Sequence, residues 1–154
     1  MIPEFAELTQ EEVETMYAMP IYVAVLIAGA DGKIDNTEIR KAVSLANLKK
    51  KKARKELIDY YHAVNTDYED KLKMAIANFP ADYKEREKLL IEEIKKVNDI
   101  FPKLERSFAI KLYASFKEIA KQIAEASGGV FGYMSIGYEE SKLIDLKMIK
   151  DPAK

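Results

Sequence analysis

Four times along this chain, a residue suited to cap a helix is followed three positions later by a glutamate: Thr9 and Glu12, Asp35 and Glu38, Thr66 and Glu69, Asp82 and Glu85. A cap side chain accepts from the free amide three residues on, and the glutamate can reach back to the cap's own amide. Leu8 with Val13, and Ile34 with Ile39, flank two of these starts with apolar pairs able to staple across the turn. Repeated start signals of this kind commit a chain to helices. Only 6 glycines and 5 prolines interrupt its 154 residues, so the stretches between starts run without breakers.

The expected order follows from these signals. A first helix runs from about Gln10, and Pro20 either kinks it or starts a second buried helix over residues 21–30. Gly32 supplies a left-handed residue to end that segment. Asp35 opens a helix to about Leu48, and a basic run leads into a helix carrying Leu57, Ile58, Tyr61 and Val64. Asn65 and Thr66 cap another through Phe79, which Pro80 ends. Asp82 begins a helix ending near Phe101. After Pro102, Phe108, Leu112, Ile119 and Ile123 keep helical spacing to about Ala126. A Gly-rich loop over residues 127–137 precedes a last helix with Leu143, Leu146 and Ile149. No alternating apolar pattern suggests a strand. The expected fold class is all-α: a single-domain helical bundle of about seven or eight helices over residues 1–154.

Composition then removes classes of function. Without cysteine there are no disulfides, thiolate zinc sites, iron–sulfur clusters or thiol nucleophiles. A net charge of −1 draws the chain to neither nucleic acid nor acidic membrane. The first fifteen residues lack a secretory pattern, and the apolar run over residues 16–30 is shorter than the roughly 20 residues of a bilayer span, so a cytoplasmic protein is expected. His62 is the only histidine. Two-histidine zinc helices and di-iron bundles are thereby excluded, and no nucleophile elbow accompanies it for a serine triad. No phosphate loop or dinucleotide fingerprint is present, and no small-molecule substrate is evident.

One segment carries candidate chemistry. IAGADGKIDNTEI, residues 27–39, gathers Asp31, Asp35 and Glu38 around one turn between two helices. DGKIDNTE matches the second half of a helix–loop–helix calcium loop, with Gly32 at the sharp turn and Glu38 at the closing position. Ile27 and Gly29 stand where its opening acidic ligands would be, so a complete calcium loop is excluded. The carboxylates still suit part of an oxygen site for a hard divalent cation, calcium above all. The same residues also read as a helix stop followed by a helix cap. Near the C-terminus, Ile136, Gly137 and Glu140 repeat the spacing of Ile34, Asp35 and Glu38, and Glu139 stands beside them.

Together, VAVLIAGADGKIDNTEI and IAEASGGVFGYMSIGYEESKLI resemble the TerB-like family of tellurite-resistance-associated proteins, through the ADG-x-I-D-x-x-E turn and the A-S-G-G loop with its following helix. The resemblance covers about 40 residues. It implies an all-helical, pseudo-two-fold bundle, cytoplasmic or peripheral to a membrane, linked to tellurite resistance and stress responses, with no established enzymatic activity. It implies divalent-cation binding through Asp31, Asp35 and Glu38, and more loosely Glu140.

Two further readings stand beside this one. In a metal-free scaffold, the basic run Lys49–Lys52 with Arg54 and Lys55, or the apolar loop over residues 130–134, would dock a protein or membrane surface. The basic run has no interleaved aromatics for stacking on nucleic-acid bases. An enzyme using paired carboxylates would need two of them in one cleft, and nothing in the sequence places them there.

Overall fold

The structure, a computed structural model, describes residues 2–29, 55–126 and 143–154. A 3₁₀ turn, Pro3–Phe5, leads into α1 (Gln10–Ala28). Then come α2 (Lys55–Asn65), α3 (Tyr68–Asn78), α4 (Tyr83–Lys95) and α5 (Arg106–Ala126). A helical turn at Val97–Ile100 and a 3₁₀ turn at Phe101–Lys103 join α4 to α5. Among the described residues there is no strand, and no helix is long and apolar enough to cross a membrane. The all-α expectation holds at that level. Five helices of eleven residues or more account for the described part of the expected seven or eight.

α1 is the axis of the assembly and touches α2, α3, α4 and α5. Its first half is amphipathic, whereas residues 23–28 are buried on every side. A helix surrounded by others has no solvent face to keep polar, which is why the apolar run there is continuous. Phe5, Tyr60, Leu72, Leu90, Ile94, Leu112 and Phe116 close the core around it, each 2% exposed or less.

α1 starts as the sequence indicates. The Thr9 hydroxyl accepts from the Glu12 amide at 3.1 Å, and the Glu12 carboxylate accepts from the Thr9 amide at 2.9 Å. Lys103 reaches across to the same carboxylate at 2.8 Å. The bonds from Lys103 and from the Thr9 amide hold the Glu12 carboxyl below its usual range.

Pro20 lies inside a single continuous α1. Proline has no amide hydrogen, so the carbonyl four residues earlier, that of Met16, loses its helical donor. The Tyr60 hydroxyl on α2 donates to that carbonyl. A buried carbonyl left without a donor costs about 1–3 kcal/mol, so the contact lets a proline sit in the interior of a buried helix.

Two expectations need correction. Asn65 and Thr66 do not cap α3. Their side chains donate back to the carbonyls of Tyr61 and His62 at 2.8 and 3.2 Å, closing the end of α2, and Asp67 precedes α3 without a side-chain cap bond. Short polar side chains serve either end of a helix, and here the preceding helix claims them. The α2 expectation is completed by its packing: Tyr60 joins Leu57, Tyr61 and Val64 in the inward stripe, and Ile58 is 41% exposed.

Finally, Leu143, Leu146 and Ile149 are buried, but they do not share the continuous helix expected of them: residues 145–148 are turns. Leu146 has φ 50°, a left-handed conformation that costs a leucine about 1–3 kcal/mol. Packing offsets that cost, since its side chain is wholly buried. Asn98 clamps the following residues by donating to the Met148 carbonyl at 3.0 Å and accepting from the Lys150 amide at 2.8 Å.

Candidate functional site

Asp31, Asp35, Glu38 and Glu140 all lie outside the described residues, as do Lys49–Lys52, Arg54 and residues 130–134. The structure describes the frame from which the acidic turn departs, the carbonyl end of α1. There Gly29, with φ −94° and ψ 5°, donates its amide to the Val25 carbonyl at 3.0 Å. Its own carbonyl accepts from Arg86 Nη2 on α4 at 3.2 Å. Arg86 Nη1 donates to the Ala81 carbonyl, also at 3.2 Å.

Arg86 is only 6% exposed. The guanidinium ties the exit of α1 to the approach to α4. The carbonyl end of a helix carries partial negative charge, so a cation is favoured there. Asp82 sets α4 in register for this contact, because its carboxylate accepts from the Glu85 amide at 3.2 Å and fixes the first turn.

Two peptide units separate Gly29 from Asp31 in the sequence. The donor set Asp31, Asp35 and Glu38 consists of hard oxygens and fits calcium in chemical type. Among the described residues, no group of three or more histidine, aspartate or glutamate side chains could hold a metal ion. His62 and Asp59 are exposed on α2, as ordinary helix-surface residues.

The other buried polar group is a set of phenols. The Tyr61 hydroxyl and Ser115 Oγ lie 2.6 Å apart, and Ser115 Oγ donates to the Leu112 carbonyl at 2.8 Å. With the serine hydrogen so used, the tyrosine is the donor in that pair. Tyr60 stacks on Tyr17 with ring centroids 5.9 Å apart, and it meets Phe5 and Tyr61 edge-on. Burial pushes the phenols of Tyr60, Tyr61 and Tyr68 well above their ordinary range. They are neutral in any physiological solution and have no proton to exchange there, so the cluster is architecture.

The residues that sequence reasoning passed over are Arg86, Tyr60 and Ser115. Arg86 sits in the run YKEREKLL and looks like one more solvated charge. The signal for Tyr60 was present, since Pro20 implies an orphaned carbonyl at Met16 and hence a donor elsewhere. No protein-family model, curated protein or solved structure matches the chain.

Proposed function

We propose that the chain is a non-enzymatic binding protein of the TerB-like type, a helical bundle of seven or eight helices with approximate two-fold symmetry. In this reading Asp31, Asp35 and Glu38 contribute oxygen ligands to a divalent cation, calcium by preference, and Glu140 joins from the C-terminal turn. The observation that carries the reading is the run ADGKIDNTE directly after the carbonyl end of α1, the most deeply buried of the described helices. Binding there would couple the exit of α1 to the next helix. The role is a stress-response accessory in the cytoplasm or at the inner membrane face, linked to tellurite resistance by the resemblance alone.

Arg86 favours a second reading. A guanidinium bonded at the Gly29 carbonyl would give Asp31, two residues on in the sequence, a counter-charge without any metal. The turn would then be a helix stop and cap in a metal-free scaffold whose partner is a protein or membrane surface.

Thermal melts of chelator-treated protein, with and without calcium and then other divalent cations, separate the two. Binding to the native state alone raises Tm by mass action. The first reading expects a rise that Asp31→Ala and Glu38→Ala both abolish. No rise at millimolar metal would sink it and leave the scaffold.

A further inference from the structure

Where the C-terminal segment crosses the start of α5, the surface turns inward to form a cleft of about 330 Å³. Its floor is apolar, made by Phe101, Leu104 and Ala109. Arg106, Lys150 and Lys154 line it, all exposed, and Asp151 is the one acidic side chain among the lining residues. None of the three cations has an ion-pair partner among the described residues. The Asp151 carboxylate accepts from the Ala153 amide at 2.9 Å and so is turned into its own backbone.

The cleft is built from fixed parts. Asn98 grips the segment on one side through Met148 and Lys150. Arg106 Nη2 donates to the Ala153 carbonyl on the other. That single bond leaves further N–H groups of the guanidinium fork available, and a fork suits a phosphate or carboxylate. Three cationic side chains against one acidic side chain around a concave apolar floor favour an anion there.

We propose that this cleft binds a small organic anion, with its charged head held by Arg106, Lys150 and Lys154 and its apolar body against Phe101 and Leu104. The volume lies at the low end of the roughly 300–1,000 Å³ of ligand sites, so the occupant is compact: one ring or a short chain with one anionic group. This site is separate from the acidic turn and stands whether or not that turn binds metal.

The test is an NMR titration of the full chain with phenyl phosphate, inorganic phosphate and phenol. Phenyl phosphate is expected to shift resonances around the cleft saturably and to bind at least about tenfold more tightly than either half-probe. Added salt should weaken it, because the charges are exposed. The double variant Lys150→Gln, Lys154→Gln removes side chains with no hydrogen bonds among the described residues and should fold as before. It should lower affinity by about tenfold with Tm unchanged. Absence of saturable binding at millimolar phenyl phosphate would overturn the proposal, as would undiminished binding in the double variant. Equal affinity for inorganic phosphate would remove the apolar part of the site and overturn it as stated.

Discussion

The two ends of α1 are completed in opposite ways. At the first turn, Thr9 and Glu12 satisfy each other's amides from three residues apart, on an exposed surface. At the last turn, the Gly29 carbonyl takes its donor from Arg86, 57 residues away and buried. The interior break at Pro20 follows the second pattern, with Tyr60 coming from 44 residues away. Water can stand in for a missing partner at the exposed end. At the buried positions a missing partner costs its full desolvation penalty, so the partner must be built into the fold.

The largest effect expected from this contrast is alkaline. Tyr60, Tyr61 and Tyr68 have folded pKa values raised above the unfolded value of 10.0. A raised pKa contributes stability that is complete below the unfolded value and is lost as pH rises above it, because only the unfolded chain releases the protons. Each buried phenol should remove about 1.4 kcal/mol per pH unit above about pH 10, and the three together about 4. Denaturant melts between neutral pH and pH 11 measure this. Tyr60→Phe should flatten the slope by about a third, and at neutral pH it should cost about 1–3 kcal/mol for the orphaned Met16 carbonyl. An unchanged neutral-pH stability would mean that carbonyl finds another donor.

Arg86→Met comes next. It keeps apolar bulk but leaves the Gly29 and Ala81 carbonyls without their guanidinium donor, at an expected cost of about 2–4 kcal/mol by urea unfolding. Smallest of the three is Thr9→Ala, expected to cost about 1 kcal/mol in the same assay. If Thr9→Ala proved as costly as Arg86→Met, the contrast between a locally and a remotely completed helix end would collapse.

The same contrast explains what could be read from the sequence. The Thr9 and Asp82 starts and the apolar spacing of α5 were legible because cap and stripe lie within a few residues of each other. The left-handed turn at Leu146 was not legible, because Asn98, from a different part of the chain, fixes the residues that follow it. Asn65 and Thr66 misled because their bonding choice depends on which helix end leaves carbonyls open. Arg86 was hidden among Lys84, Glu85, Glu87 and Lys88, where charge alone says nothing about which residue turns inward. Of the acidic site, the motif is legible, and its four carboxylates lie outside the described residues.

The remote completion of α1 also sets an order of events during synthesis. α1 leaves the ribosome before Tyr60 and Arg86, the donors to its Met16 and Gly29 carbonyls, have been made. Arg86 follows Gly29 by 57 residues. At about 5–20 residues per second, that is a wait of roughly 3–11 s. For that interval the most apolar of the described helices has exited without the residues that complete it, which makes the nascent α1 a natural client for chaperones.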